Sequence, residues 1–192
     1  MSAKQGRRRI IAAGWIAVIP AIAAAASPWA FSDGPPAGRT GGFGEPLCTE
    51  CHFDNPANDS AGAMEISGLP ERFAAGQAYA ISIRLRHPDM QRGGFQLAAR
   101  WMDGPSAGRQ AGRLEPVDEH VKVRDSNEVR YAQHGYARDR AKDTDAVTWT
   151  VRWIAPEKGS ANVAVDVAAN AANGDFSSLG DYIYSRRVIV QP

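Results

Sequence analysis

Four stretches of this 192-residue chain place an apolar side chain at every second position, and that period governs what it can fold into. In Ala78–Arg86, Tyr79, Ile81, Ile83 and Leu85 alternate with Ala80, Ser82, Arg84 and Arg86. In Gly94–Met102, Phe95, Leu97, Ala99 and Trp101 alternate with Gln96, Ala98, Arg100 and Met102. Val147, Trp149, Val151 and Trp153 share one face of 147–154, and Val163, Val165 and Val167 share one face of 162–169. Tyr182–Val190 is a last β-rich run, and 63–67, 112–115 and 129–133 are weaker candidates. Turn clusters such as Asp103-Gly104-Pro105-Ser106 and Pro156-Glu157-Lys158-Gly159-Ser160 separate the runs. Seven or eight short strands, each apolar on one side, predict an all-β, Ig-like two-sheet antiparallel sandwich over 61–192. No stretch of 32–192 has helical periodicity, and no internal repeat is visible.

The N-terminal third reads differently. Residues 1–9 carry Lys4, Arg7, Arg8 and Arg9 and no acid, and residues 10–26 are uncharged and mostly apolar. Ala24-Ala25-Ala26 before Ser27 fits the small-residue rule for cleavage, so 1–31 reads as a signal peptide, with a retained membrane anchor as the rival. Arg7-Arg8-Arg9 also faintly resembles a twin-arginine signal. Any of these places 32–192 outside the cytoplasm, in the periplasm or on the outer face of the inner membrane, with possible membrane association through 10–31. Without residues 1–26 the 22 basic residues fall to 18 against 21 acidic ones, a net charge of −3. A slightly acidic body argues against nucleic acid as a partner. Residues 32–60 form a loop, rich in Gly and Pro up to Leu47 and without periodicity.

That loop holds Cys48-Thr49-Glu50-Cys51-His52, with the only two cysteines and one of four histidines in the protein. Cys-x-x-Cys-His is the attachment signature of a c-type haem. Two thiols three positions apart can each add across a vinyl group, giving two thioethers. The next residue then supplies an imidazole to the iron. The expected cofactor is one covalently attached haem c, held by Cys48 and Cys51 with His52 as proximal ligand. Two other readings stand beside it. The thiols could form a disulfide or redox pair, which the oxidising compartment allows although no βαβ context surrounds them. A zinc site would need a second Cys or His pair that the sequence does not offer.

Gly38-Arg39-Thr40-Gly41-Gly42-Phe43-Gly44-Glu45-Pro46-Leu47 before that motif, then Gly94-Phe95-Gln96-Leu97, Trp149 to Pro156 and Ala169-Asn170-Ala171-Ala172-Asn173-Gly174-Asp175 together resemble the bacterial reeler-like domains of the "choice-of-anchor V" type. The resemblance spans 34–192. It implies a reeler-like β-sandwich with a Cys-x-x-Cys-His near its start, in an exported surface or periplasmic protein. Such domains often carry a C-terminal anchoring tail. Here the sequence ends at Val190-Gln191-Pro192, so anchoring is expected of the N-terminal segment.

A sixth iron ligand has six candidates: His87, His120, His134, Met64, Met90 and Met102. The family's aromatic-x-x-His before a Trp-containing strand matches Tyr131-Ala132-Gln133-His134, which favours His134, with Met102 second. His87 and His120 sit among polar residues and are expected at the surface. Asp166, Asp175 and Asp181 lack calcium-loop spacing and suit turn chemistry better. Trp149 and Trp153 are expected in the core, and 138–143 as a solvated loop. With no catalytic carboxylate pair and no Ser-His-Asp context, the chain is expected to be an electron-transfer protein, not an enzyme. It would be a one-electron carrier or the cytochrome subunit of a membrane complex, with redox proteins as partners. The alternatives are a surface or adhesion-type binding module stapled by a Cys48–Cys51 disulfide, and a haem-based sensor.

Overall fold

The computed structural model describes residues 31–136, 138–139 and 145–192. The signal or anchor segment 1–30 lies outside these. Ten strands form among the described residues: β1 (Ala63–Ser67), β2 (Ala78–Arg86), β3 (Arg92–Trp101), β4 (Arg113–Pro116), β5 (Val121–Ser126), β6 (Val129–His134), β7 (Arg138–Asp139), β8 (Ala146–Ile154), β9 (Val163–Ala172) and β10 (Tyr182–Val190). They build two antiparallel sheets, one ordered β1-β2-β8-β4 and the other β10-β9-β3-β6-β5, with β7 also pairing β3. This is the two-sheet sandwich that the alternation predicts. No helix of the described residues is long and apolar enough to cross a membrane.

The core lies between the sheets. Ile81, Ile83 and Leu85 of β2 and Val147, Trp149, Val151 and Trp153 of β8 meet Phe95, Leu97 and Ala99 of β3 and Val163, Val165 and Val167 of β9. All are buried, at about 25 cal/mol per Å² of apolar surface removed from water. Trp149 and Trp153 are core residues, as expected. The weaker candidates form β1, β4 and β6.

Three expectations need correction. β5 was not predicted, because only Val121 and Val123 of its six residues are apolar. It forms because Asn127 and Glu128 both take positive φ, making a two-residue hairpin turn that lays β5 on β6 with Ser126 opposite Val129. Arg138–Asp139, expected as loop, pairs with Arg92–Gly93 of β3, while 140–143 lie outside the described residues. His87, expected at the surface, is 2 % exposed and stacks on Tyr182 with ring centroids 3.8 Å apart. Its polar sequence neighbours hid the strand-end packing that buries it.

β3 and β9 are buried on both faces, although their outward positions carry Gln96, Arg100 and Asp166. The cover is the chain from 31 to 60, which returns across the outer face of the larger sheet. Its later part runs beside β10: Asn58 N–H donates to the Ile183 carbonyl (2.8 Å), and Ser185 N–H to Asn58 Oδ1 (2.9 Å).

Candidate functional site: a cleft under the Cys-x-x-Cys-His turn

The covering segment is clamped to the sheet by a polar cluster. Arg39 N–H donates to Gln96 Oε1 (2.6 Å), and Arg100 Nη1 donates to Glu45 Oε1 (2.6 Å). Arg100 Nη2 reaches Thr40 Oγ1 (3.1 Å), whose hydroxyl donates to Glu45 Oε2 (2.6 Å). The Tyr131 hydroxyl also donates to Glu45. The Phe43 ring sits under two guanidinium groups, Arg100 at 4.6 Å and Arg187 at 4.9 Å, and Arg187 pairs with Asp166. Gly42 must be glycine for this docking, since a Cβ there would lie 2.1 Å from Asp166 Oδ2.

Burial tends to raise the Glu45 carboxyl, but the hydrogen bonds from Thr40, Tyr131 and Arg100 outweigh it and hold the group below its ordinary 4.5. A carboxylate depressed in the folded state contributes stability that is complete above 4.5 and lost as pH falls through the lowered folded value. Acidification below 4.5 is therefore expected to loosen residues 31–60 before the sandwich unfolds. Amide exchange at Arg39 and Gly42 over a pH series checks this, and equal protection at neutral and acid pH contradicts it.

The clamp delivers Cys48–Glu50, a single 3-10 turn, to the sheet. Cys51 N–H (3.2 Å) and His52 N–H (3.0 Å) both donate to the Cys48 carbonyl. Both cysteines are free, Cys51 exposed and Cys48 partly covered. The Cys48 thiol faces the Arg39 carbonyl (3.6 Å), and burial pushes it up to about 12. That is the opposite of the lowered thiol a dithiol redox catalyst needs.

Beside this turn lies a mainly apolar cleft of about 740 Å³, its open mouth included. Cys48 of the turn and His52 just after it line it, with Gly93, Gly94 and Phe95 from β3, Asn170 and Ala172 from β9, and His134 from the end of β6. Phe31, Phe176 and Asp181 line it as well.

The two histidines are held in different ways. His52 Nδ1 lies 2.8 Å from Asp181 Oδ2, and Asn170 Nδ2 stands 3.5 Å from both ring nitrogens. His134 fills the break in the ladder where β3 passes from β6 to β7. Phe95 N–H donates to its Nδ1 (3.0 Å), and its Nε2 lies 3.2 Å from the Phe31 carbonyl. In the other tautomer Nδ1–H would donate to the Phe95 carbonyl, 3.2 Å away. The ring lies flat on Gly94, where a Cβ would come within 2.6 Å of Cε1. Burial pushes the His134 imidazole below its ordinary 6.5, against the raising effect of the Phe95 and Phe31 backbone, so it is neutral at pH 7.

Of the six candidate sixth ligands, His134 is the one that lines this cleft. Met64 and Met90 belong to the core, and Met102 lies exposed beyond the end of β3. His87 is buried near Asp59 (3.8 Å), and His120, expected at the surface, is half-buried in a separate polar groove. Among the described residues no group of three or more His, Cys, Asp or Glu side chains could hold a bare metal ion.

Asp181 and Asn170 are site residues that sequence reasoning missed. Both fall in or near an Asn/Gly/Asp stretch whose composition signals turns. Asp175 does make such turns, accepting from Ser177 N–H (2.8 Å) and donating its own N–H to Asn173 Oδ1 (3.1 Å). Asp166 and Asp181 instead pair with Arg187 and His52.

No protein-family profile matches the chain, and no curated protein matches it either. Solved structures do. The human F-spondin reeler domain (fragment 1) is similar at 18 % identity over 71 % of this chain and 93 % of its own, with a TM-score of 0.46. The Reelin-N domain of F-spondin matches at 18 % identity over 71 % and 91 %, with a TM-score of 0.48. A cohesin module from a Clostridium perfringens family 33 glycoside hydrolase matches at 12 % identity over 69 % and 97 %, with a TM-score of 0.47.

Proposed function

We propose that this chain is an exported monohaem c-type cytochrome that passes single electrons between redox proteins outside the cytoplasm. The observation that carries the proposal is the meeting of Cys48, His52 and His134 at one apolar cleft, with His52 Nδ1 2.8 Å from the buried Asp181 carboxylate and its Nε2 without a close partner.

The residues present fit the group. Cys48 and Cys51 would hold it through thioethers, and His52 would be its proximal ligand. Gly94 brings bare backbone against the His134 ring, which a side chain there would strike. His134 is neutral, the form of imidazole that can ligate a metal. It would serve as distal ligand by giving up the Phe31 carbonyl and taking the tautomer in which Nδ1–H donates to Phe95. Bound haem would supply one-electron chemistry at its iron. The chain's part is to fix the two imidazoles, to keep the cleft apolar and to clamp the attachment turn onto the sheet.

A second reading rests on the rim. Phe31 and Phe176 line the cleft and are 52 and 71 % exposed. Exposed apolar groups in one region mark binding surfaces. A surface-binding module, the class suggested by the reeler name of the similar structures, would use this rim without haem.

A reduced-minus-oxidised visible spectrum after expression with a c-type maturation system separates the two. A cytochrome gives a sharp α band that survives denaturation, disappears in Cys48→Ala/Cys51→Ala and shifts or broadens in His134→Ala. A folded, colourless wild-type protein overturns the cytochrome reading and leaves the binding module.

A further inference from the structure

We infer that Asp181 is a positioning residue that sets the reduction potential of this site through His52, an inference that rests on the haem reading above. The Asp181 carboxylate is 1 % exposed, and two N–H donors and the His52 ring nitrogen converge on it. Oδ2 lies 2.8 Å from His52 Nδ1 and receives Asn170 Nδ2–H at 3.0 Å, and Oδ1 receives Asn173 N–H at 3.1 Å. Its own carbonyl accepts Asn55 Nδ2–H at 3.0 Å, which ties it to the loop just after His52. The neighbouring Gly180 N–H donates to Asp54 Oδ2 at 2.9 Å. The acid and the histidine it contacts are thus fixed together by bonds on both sides.

The consequence is chemical. A carboxylate taking the Nδ1 hydrogen bond fixes the ring's tautomer and leaves the lone pair on Nε2. It also shifts electron density into the imidazole, making Nε2 a stronger donor. A stronger axial donor favours the oxidised iron and lowers the potential. A backbone carbonyl in the same place would orient the ring equally well but carry no full charge. Burial makes the charge count, because little solvent screens it. Asn170 supports the arrangement: its amide holds Oδ2 and lies 3.5 Å from both ring nitrogens of His52.

The test is the midpoint potential of the haem-loaded protein in wild type, Asp181→Asn and Asp181→Glu. Asp181→Asn keeps the size and an oxygen for Asn173 but removes the charge. Its potential is expected to move in the positive direction with haem content unchanged. Asp181→Glu, which restores a carboxylate, is expected to move it back toward wild type. A haem-loaded Asp181→Asn protein with the wild-type potential overturns the inference. If Asp181→Asn fails to fold, proton NMR of reduced wild-type protein decides. A His52 Nδ1–H resonance protected from solvent exchange supports the bond, and a rapidly exchanging one overturns it. Absence of covalent haem from the wild type is a different result, which removes the cytochrome reading itself.

Discussion

Arg100→Met is expected to cost about 3–5 kcal/mol of folding stability, most of it by freeing residues 31–60 from the sheet. The Arg100 side chain is 3 % exposed and faces two acids, Glu45 at 2.6 Å and Asp166 at 3.6 Å. Methionine fills the space along β3 but leaves Glu45 partly buried without its cation. Asp166 keeps Arg187 at 2.6 Å, so the damage falls on the loop side of the cluster. Removing one member of a buried pair is costly because the remaining charge stays desolvated. Phe43 would also lose one of the two guanidinium groups that enclose it. Arg100→Lys keeps the charge but cannot reach Glu45 and Thr40 together as the guanidinium does, so only part of the loss should be recovered. Chemical denaturation gives the magnitude. Amide exchange at Gly41 and Gly42 shows whether the loop is released first. Wild-type protection at these amides in Arg100→Met would mean that the cluster does not hold the loop.

The reach of the sequence follows the range of the interactions. Strands β2, β3, β8 and β9 were legible because alternation is a local pattern that burial on one face enforces, and β10 because its run is rich in β-forming residues. The attachment turn was legible because its three residues are adjacent. The double burial of β3 and β9 was not, since it depends on a segment some 50 residues away in the chain folding back over Gln96 and Arg100. Read alone, those side chains look like an ordinary wet face. His87 misled for the same reason: its neighbours Arg86 and Asp89 are polar, while the Tyr182 that covers it comes from the far end of the chain. Asp181 is the instructive case. Within its own stretch it resembles the turn acids beside it, and only the approach of His52 from the other end of the described chain gives it a different role. His134 was reached through a family pattern, and the structure adds what that pattern lacks: the Phe95 backbone and the bare Gly94 that fix its ring.

Trp149→Ala is expected to cost about 3–5 kcal/mol and to lower the melting temperature by roughly 6–20 °C. Trp149 is fully enclosed, and its ring packs on Phe95 with centroids 4.9 Å apart. A Cβ at Gly93 would stand 2.9 Å from its ring, so this tryptophan directly underlies the strand segment that lines the cleft. Its loss should therefore do more than lower global stability. Phe95 supplies the N–H that fixes His134 Nδ1, and a cavity beneath Phe95 lets that backbone shift. Trp153→Ala is the control. Trp153 is equally buried, but it packs on Phe73 and Tyr79 and donates Nε1–H to the Ala111 carbonyl (3.0 Å), away from the cleft residues. The two variants should lose similar stability, yet only Trp149→Ala should speed exchange of the Phe95 amide under native conditions. Trp149→Phe, which keeps an aromatic ring against Phe95 and removes a buried N–H without a hydrogen-bond partner, should show a much smaller loss. Equal Phe95 exchange in the two alanine variants would show that the cleft does not depend on the tryptophan beneath it.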